Sequence, residues 1–398
     1  MKVLLVNQYY PPDGAATATL AAGFASTLGD RGHEVSVIAG RPSYDVAQRS
    51  SWRPLQVTTD AKVRVRRVGS TAFARHRMAG RLANYGTYAA WAAPLSARDT
   101  SDLVVSMSDP PFAGIIAARV AHRRNRPFVY WLQDLHPDFA LATGDLRPGP
   151  LVDRWRRLHS EAMGRAAAVV VLGDDMADRA IVAGADARRL HVIRSGAPPA
   201  KSTPPADNDV ARTIRADREF VVLHAGNLGQ TVAWETLIDG VKLLGDPGVG
   251  LAFVGPGAER AAAERAATGL AAVRFHDYWP AEHAPAVFAA GDVHAVTVRR
   301  GLEGLVVPSR LYAVLAAGRP VLAIADEASD VVALVRRHDC GVVADPDDPA
   351  SIADAIAWAR AHPSELAAMG QRAGAASADY DRDALLHRLV DVIESVRR

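Results

Sequence analysis

A loop and helix start near the end of the sequence combine residue types that bind an anion. Pro308 and Ser309 open a predicted helix, whose first backbone N–H groups have no partner within the helix. Ser309 can act as the N-cap and as a hydroxyl donor, and the helix start orients Arg310. Arg299 and Arg300 end the preceding strand. These residues predict a diphosphate site, although in a chain with 46 lysines and arginines they could also form a solvated face.

Acid–base residues occur in the segment QDLHPD, directly after an apolar strand in the first half of the chain. Asp134 and His136 are the candidates for catalysis there. A neutral imidazole can orient a hydroxyl group, and a carboxylate can accept its proton or a hydrogen bond. A helix-capping aspartate and a structural histidine are the alternative interpretation.

Glycines follow three predicted strands at the points where helices begin. Gly14 follows the first strand, Gly226 and Gly229 start the second half of the chain, and Gly255 comes one strand later. A missing side chain lets a phosphate group approach the backbone at such a turn. Tight turns and close packing explain the same glycines without a ligand, and a lone Gly-x-Gly is weak evidence.

Composition restricts the class of protein. With 398 residues and 49% hydrophobic content, the chain can bury large cores and is predicted to form two domains. The net charge of +2 implies no general attraction to nucleic acid. The single cysteine, Cys340, excludes an internal disulfide framework and a multi-thiolate metal site. We find no signal peptide and no apolar run of ~18 residues, and we expect a cytoplasmic protein that is at most peripheral to the inner face of a membrane.

The sequence offers little support for a catalytic metal. Its nearest approach to an Asp-x-Asp metal motif is the segment from Asp345 to Asp348, which lies in a turn before a predicted helix. Aspartates at such positions usually cap the helix start. We therefore expect no metal site.

Apolar strands alternate with helical patterns through residues 1–197. The strands are predicted at 3–6, 35–39, 63–68, 103–107, 128–132, 168–172 and 191–194. This alternation predicts one parallel sheet of about seven strands covered by helices. Ligands of such sheets bind at the carboxyl ends of the strands, which is where Gly14, Asp134 and His136 fall.

A second alternation occupies residues 219–379. Its strands are predicted at 220–224, 251–254, 273–275, 293–298, 321–324 and 342–344. Residues 198–218 are rich in proline and polar side chains and are predicted to be a linker. The predicted fold class is α/β, with two Rossmann-like doubly wound domains facing each other across a ligand-binding cleft.

Seven segments, in a fixed order, resemble family 4 of the retaining glycosyltransferases, which have the two-domain GT-B fold. The segments are NQYYPPDGAAT, RGHEVSVIAG, DLVVSMSDPP, YWLQDLHPD, LHAGNLGQ, FVGPGAER and VVPSRLYAVLAAGRPV. The likeness is to the branch of bacterial polysaccharide enzymes that includes amino-sugar transferases. It implies an N-terminal acceptor domain, a C-terminal nucleotide-sugar donor domain, and a final helix within residues 380–398 that crosses back onto the first domain.

The resemblance implies that Gly226, Asn227 and Gly229 lie at the donor phosphates, and that Gly14 approaches the donor from the other domain. Family members usually have an arginine where Asn227 stands and a lysine near Val232, and this chain has neither. The three arginines beside the predicted helix start would then have to neutralise the charge of the diphosphate.

Other positions follow the family only in part. His276 and Tyr278 stand where the family holds the base of the nucleotide, although they could equally be residues of a sheet edge. In the family's two-glutamate signature, the second position is Ala313 here and the first falls on Leu305 by strict spacing. Glu303 could contact the donor sugar in its place if the loop is re-formed.

The segment QDLHPD also departs from the family. Asp134 matches the aspartate of the branch motif Arg-Asp-Leu-Trp, and His136 takes the tryptophan position. Other family members carry a histidine that contacts the donor sugar at the place of Gln133. We therefore expect Asp134 and His136 to act on the acceptor hydroxyl.

Residues 75–98 combine basic and aromatic side chains at helical spacing. A helix of this kind can lie on an anionic membrane and bring the enzyme to a lipid-linked acceptor. An ordinary packed helix with a solvated start explains the same pattern.

The resemblance implies transfer of a sugar from a nucleoside diphosphate sugar to a hydroxyl group, with retained anomeric configuration. A UDP-amino sugar such as UDP-GlcNAc is the favoured donor, and as it is a co-substrate no separate cofactor is expected. The departing diphosphate would take the acceptor's proton, so no covalent nucleophile is needed. Three kinds of acceptor are compatible with the sequence: a lipid-linked saccharide, a small natural product and a protein. A UDP-sugar 2-epimerase and a non-catalytic sugar-nucleotide-binding partner protein are the alternatives.

Overall fold

The computed structural model of the chain describes residues 1–42, 52–60, 62–73, 78–199 and 208–396. It divides into two compact units. The first comprises Met1–Arg194 together with Asp383–Arg398, and the second comprises Ser195–Arg382.

The first unit is built on an eight-stranded sheet. Its strands are β1 (Lys2–Val6), β2 (Glu34–Ala39), β3 (Leu55–Asp60), β4 (Val63–Val68), β5 (Leu103–Met107), β6 (Phe128–Trp131), β7 (Ala168–Val171) and β8 (Leu190–Val192). Its helices are α1 (Ala16–Asp30), α2 (Met78–Arg98), α3 (Ala113–Arg123), α4 (Asp138–Ala142), α5 (Pro150–Gly164) and α6 (Asp174–Val182). The strand order is β3-β4-β2-β1-β5-β6-β7-β8. The order reverses between β1 and β5, where sheets of this kind form a ligand crevice.

Strand β3 corrects the prediction of an all-parallel sheet of about seven strands. It pairs antiparallel with β4 at the sheet edge, with Leu55 opposite Val68 and Asp60 opposite Val63. Because a parallel connection needs a dozen or more residues, the short link between Asp60 and Val63 permits only the antiparallel arrangement. The strand escaped prediction because Leu55 and Val57 stay exposed at the edge and give no buried apolar run.

The second unit contains a six-stranded parallel sheet in the order β11-β10-β9-β12-β13-β14. Its strands are β9 (Phe220–Ala225), β10 (Val249–Val254), β11 (Val273–His276), β12 (Val293–Thr297), β13 (Val321–Ile324) and β14 (Gly341–Ala344). All six predicted strands are confirmed. Its helices are α7 (Asp209–Arg215), α8 (Trp234–Leu244), α9 (Arg260–Ala266), α10 (Ala284–Ala289), α11 (Arg310–Ala316), α12 (Asp330–His338), α13 (Pro349–Ala361) and α14 (Pro363–Ala376).

Helix α7 corrects the prediction that all of residues 198–218 form a linker. Val210, Ala211 and Ile214 are buried and join the apolar core beneath β9. The side chain of Asn208 caps the helix by accepting a hydrogen bond from the N–H of Ala211 at 2.8 Å. The end of the proposed linker is therefore an integral helix of the second unit.

The final helix, α15 (Arg382–Ser395), buries one apolar face. Its residues from Asp383 onward belong to the first unit, where Leu386 lies beside Gly23 of α1. Arg31 of that unit forms ion pairs with Asp391 at 2.7 Å and with Glu394 at 2.9 Å. Among the described residues, no helix combines the length and apolarity that a membrane span requires.

Candidate functional site

Two glycine turns meet at the carboxyl edge of the second sheet. Gly226 follows β9 with φ 144° and Gly255 follows β10 with φ 131°, a region that residues with side chains rarely adopt. A Cβ atom on Gly255 would lie 2.5 Å from the carbonyl oxygen of Gly226 and 2.7 Å from the ring of Tyr278. Both positions therefore favour glycine, because of their backbone angles and because neighbouring protein atoms occupy the space that a Cβ would take.

Arg310, the first residue of α11, reaches these turns. Its guanidinium carbon would lie 3.3 Å from a Cβ on Gly226, and its Nη2 donates to the carbonyl oxygen of Asn227 at 3.0 Å. Nη1 lies 2.8 Å from Nδ1 of His224, which is fully buried on β9. Burial, followed by the nearby Arg310 charge, lowers the pKa of His224 well below its usual value, so this imidazole is neutral.

The charge of Arg310 has no counter-ion in the described part of the chain. Its hydrogen-bond partners are His224 and Asn227, and it forms no ion pair with a carboxylate there. Burial lowers the pKa of Arg310 to about 10, which still leaves it charged at neutral pH. A partly buried cation without a counter-ion is costly even when it is hydrogen-bonded, and an anion that binds beside it reduces that cost. The geometry is that of an anion site.

The neighbouring Ser309 does not cap the helix as predicted. Its backbone is already helical, with φ −59° and ψ −19°, whereas capping residues adopt extended angles. Its side chain makes no capping hydrogen bond and is exposed beside the half-buried Pro308. The Ser309 hydroxyl therefore stays available to a ligand.

The other two predicted arginines point elsewhere. Nη2 of Arg299 donates to both carboxylate oxygens of Glu235 of α8, at 2.8 and 2.6 Å. Arg300 pairs with Asp326, Asp345 and Asp347, and these carboxylates raise its pKa. Acids distant in sequence thus hold two of the three predicted arginines in ion pairs, and of the three it is Arg310 that lies at the glycine turns.

The aspartates after β14 are thereby explained. Asp345 and Asp347 bind Arg300, and Asp348 caps α13 by accepting from the N–H of Ala350 at 2.9 Å. The predicted capping role is confirmed for Asp348. In the described residues, no three histidine, cysteine or acidic side chains group together as a metal site would require.

Glu303 closes the loop that precedes α11. Its two carboxylate oxygens accept from the N–H of Gly301 at 3.0 and 2.8 Å. Gly301 and Gly304 both have positive φ, at 87° and 70°. Leu305, the residue at the family's first glutamate position, is buried. Glu303 is thus an acidic side chain of this loop, and its hydrogen bonds to the backbone of Gly301 fix its position.

His276 and Tyr278 flank the second glycine turn. The carbonyl oxygen of His276 accepts from the N–H of Gly255 at 2.9 Å, and the Tyr278 side chain lies over Gly255 with 56% of its surface exposed. Arg260 donates to the carbonyl oxygens of Gly255 and His276, each at 3.1 Å, and to Asp277 at 2.6 Å. Arg260 therefore fixes this turn, beside an exposed ring that a nucleotide base could stack upon.

Gly229 lies beside the exposed Asn227. A Cβ on Gly229 would lie 2.8 Å from the side-chain amide nitrogen of Asn227, which can swing away. In the first unit, Gly14 is exposed between β1 and α1 with open space around its Cα. Gly14 and the Gly226 turn belong to different units.

Asp134 and His136 follow β6 in the first unit. The N–H groups of Gln133 and Asp134 donate to the Ser108 hydroxyl oxygen at 2.9 and 3.2 Å. Burial and the neighbouring Asp109 raise the pKa of Asp134 to about 7. Burial lowers the pKa of His136 to about 3, so its imidazole is neutral. A carboxyl group that titrates near neutral pH beside a neutral imidazole suits interaction with a hydroxyl group.

The raised pKa of Asp134 predicts a pH-dependent stability. The folded state holds this proton more tightly than the unfolded chain, so stability falls as the pH rises from about 4 to about 7. Each pKa unit corresponds to about 1.4 kcal/mol, so we expect the contribution of Asp134 to be a loss of about 4 kcal/mol. Urea unfolding of the wild type and of Asp134→Asn at several pH values measures it. Equal pH dependence in the two proteins would contradict this account.

Helix α2 combines packed and exposed side chains. Tyr88 is buried and donates to the carbonyl oxygen of Ile38 at 2.8 Å, whereas Leu82 and Trp91 are 52% and 42% exposed. The basic residues 75–77 lie outside the described residues. Membrane contact through this helix stays a prediction.

Sequence reasoning missed two residues of the site. His224, which holds Arg310, is the second residue of the quoted segment LHAGNLGQ, and Arg260 ends the quoted segment FVGPGAER. Both lay in recognised motifs. Their partners could not be identified because 86 residues separate His224 from Arg310.

The chain matches two models of protein families. A family model described as Glycosyl transferase 4-like domain matches residues 14–196, and one described as Glycosyl transferases group 1 matches residues 219–361. The two models together cover most of both units.

Individual relatives are distant. Probable glycosyltransferase WbjE of Pseudomonas aeruginosa is 25% identical over 268 residues, which span 64% of this chain and 65% of that protein. The putative colanic acid biosynthesis glycosyl transferase WcaI of Escherichia coli (strain K12) is 25% identical over 334 residues, 80% of this chain and 82% of that protein. The crystal structure of Anabaena Alr3699/HepE in complex with UDP and glucose has a TM-score of 0.71 at 19% identity, covering 99% of this chain and 100% of that one. The last likeness confirms the predicted fold.

Proposed function

The chain belongs to the family 4 glycosyltransferases of GT-B fold, and on that premise we propose that it transfers a sugar from a nucleoside diphosphate sugar to a hydroxyl group in polysaccharide assembly. The observation that carries this proposal is Arg310, a partly buried cation without a carboxylate partner in the described residues, placed against a glycine turn. A diphosphate matches that environment in charge and in its need for bare backbone.

Arg310 also serves the chemistry. As the bond between the sugar and the diphosphate breaks, negative charge accumulates on the departing oxygen, and a fixed cation stabilises it. The exposed Ser309 hydroxyl can donate to the same group. We propose that this positive charge replaces a metal ion, and that a diphosphate oxygen takes the proton of the acceptor.

The proposed donor is a UDP-sugar. The support is the Anabaena neighbour, whose crystal structure contains UDP and glucose, together with the exposed Tyr278 ring over the Gly255 turn. A UDP-amino sugar such as UDP-GlcNAc remains the favoured member of that class. Retention of the anomeric configuration is proposed from the family.

Incubation with UDP-sugars tests this function. With UDP-GlcNAc and UDP-glucose in separate reactions, we expect slow release of UDP and free sugar by the wild type, and NMR of the first-formed sugar shows whether the anomeric configuration is retained. A 2-epimerase would instead yield an epimer of the donor. No UDP binding by calorimetry and no UDP release with either sugar would refute the proposal.

A further inference from the structure

An open cavity of about 510 Å³ lies at the amino ends of the strands in the second unit. Its walls are formed by residues at or just before the starts of β9, β12 and β13, by the end of α13 and by the first two turns of α14. Cavities that bind small molecules measure ~300–1,000 Å³, so this space is large enough for a ligand of that class. We call it the amino-end cavity.

The amino-end cavity is separate from the proposed diphosphate site. Phe220 in its wall begins β9, whereas the Gly226 turn follows the end of the same strand. A strand rises about 3.3 Å per residue, so the six residues of β9 place the two sites about 20 Å apart. A ligand in this cavity would therefore occupy a second site that is not part of the donor site.

Arg319 lines the cavity and forms no hydrogen bond or ion pair within the described part of the chain. Its side chain is partly buried and its Nε is enclosed by protein atoms, so Nη1 and Nη2 are the nitrogens that a ligand can reach. Burial lowers the pKa of Arg319. The nearby Asp292 raises that pKa, but Arg215, which binds the same carboxylate at 2.7 Å, lowers it again. A partly buried guanidinium with unused donors attracts an anion.

Two carboxylates in the wall each keep one oxygen for a ligand. Oε2 of Glu219 accepts from Arg360 at 2.6 Å. Oδ2 of Asp292 accepts from Arg215 and from the N–H of Val221, each at 2.7 Å. The other oxygens, Oε1 of Glu219 and Oδ1 of Asp292, accept no hydrogen bond from a described residue. Because the arginines already balance both charges, these oxygens suit hydroxyl donors.

The side of the cavity formed by α14 is apolar. Pro363, Leu366, Ala367 and Gly370 recur at the spacing of one helix face. The C–H groups on the face of a sugar ring can pack against such a surface. The cavity thus combines a cation available to an anion, two acceptor oxygens and an apolar side.

We propose that the amino-end cavity binds an anionic sugar, meaning a monosaccharide that carries a phosphate or carboxylate group. The anionic group pairs with Nη1 and Nη2 of Arg319, ring hydroxyls donate to Oε1 of Glu219 and Oδ1 of Asp292, and the ring packs against α14. A neutral sugar lacks the first contact and inorganic phosphate lacks the other two, so both should bind more weakly. The inference goes beyond the proposed glycosyl transfer and does not depend on it.

Calorimetric titration of the full chain tests the cavity. The anionic probes are glucose 1-phosphate, glucose 6-phosphate, N-acetylglucosamine 1-phosphate and glucuronic acid, and the partial probes are methyl glucoside and inorganic phosphate. We expect at least one anionic probe to bind about tenfold or more tightly than both partial probes, and saturating UDP to change its affinity less than about threefold. Equal binding of a partial probe, binding of no anionic probe, or displacement by UDP would overturn the inference.

A matched pair of substitutions locates the bound anion. Arg319→Met removes the guanidinium from the cavity wall and should weaken the best anionic probe about tenfold or more. Arg265→Met removes the same charge from an exposed position on α9 and should change the affinity less than about threefold. Equal losses in the two variants would mean attraction by net charge alone, and no loss in Arg319→Met would place the sugar elsewhere. Either result overturns the proposal.

Ala367→Phe tests the place of the ring independently of Arg319. Ala367 is exposed on α14 and lines the cavity, so a larger side chain there fills part of the space for the ring without entering the core. We expect an unchanged melting temperature together with an affinity loss of about threefold or more for the same probe. Wild-type affinity in this variant would contradict binding in the amino-end cavity.

Discussion

Replacing Arg310 by methionine should weaken UDP binding roughly 10- to 150-fold. Hydrogen bonds to charged groups contribute about 1.5–3 kcal/mol, and each 1.4 kcal/mol is a factor of ten in affinity. Arg310 is the predicted arginine that lies against the Gly226 turn without a carboxylate partner in the described residues. Calorimetric titration with UDP measures the change, and donor hydrolysis should fall at least as steeply because charge develops as the diphosphate leaves.

The same substitution should not destabilise the unliganded protein. A partly buried guanidinium without a counter-ion costs free energy, and desolvation already lowers the pKa of Arg310 to about 10. Removal of the unbalanced charge therefore offsets the loss of the hydrogen bonds to His224 and Asn227. A melting temperature equal to or above that of the wild type, combined with weak UDP binding, would show that Arg310 contributes to ligand binding and not to the stability of the fold.

Arg300→Met is the matched control. Arg300 stands in the same segment of sequence but is held by Asp326, Asp345 and Asp347. Its loss should change UDP affinity less than threefold, within the ordinary scatter of surface substitutions. Should Arg300→Met weaken UDP as strongly as Arg310→Met, the diphosphate would lie nearer the end of β14 than we propose.

These two arginines show how far the sequence could predict the site. The helix start after Pro308 was recognisable from local pattern, and it singled out Arg310 as a residue with a defined direction. Whether an arginine is free or paired depends on acids brought together by the sheet. Asp326 and Asp345 follow β13 and β14, which are adjacent parallel strands, so their side chains meet Arg300 only in the folded unit.

The fold could be predicted from the sequence more completely than the site. A buried parallel strand shows a continuous apolar run, and the alternation of such runs with helical patterns predicted both sheets. Elements outside that pattern were missed. Strand β3 is an exposed edge, and α7 follows a polar, proline-rich stretch with only three buried side chains. Ser309 fits the preferred composition of an N-cap, but its backbone angles do not.

Gly255→Ala should destabilise the second unit by about 2–4 kcal/mol. Alanine would be strained at φ 131°, and its methyl carbon would lie 2.5 Å from the carbonyl oxygen of Gly226 and 2.7 Å from the Tyr278 ring. Backbone strain of this kind costs about 1–3 kcal/mol, and overpacking adds about as much. Tyr278 can turn aside, but the Gly226 oxygen belongs to the backbone of the turn that contacts Arg310, so relief of the clash must displace the proposed diphosphate site. UDP affinity should therefore fall together with stability.

Gly229→Ala provides the comparison, because it adds the same methyl group a few residues from the same turn. There the new carbon would meet the side-chain amide of Asn227 at 2.8 Å, and that exposed side chain is free to rotate. Gly229 does not have a positive φ, so no strain is added. We expect a change within about 0.5 kcal/mol in urea unfolding. If both variants lose the same stability, the cost of an added methyl group is a general property of the loop and is not specific to Gly255. If Gly255→Ala alone loses both stability and UDP binding, the close approach of two parallel strand ends is what makes room for the diphosphate.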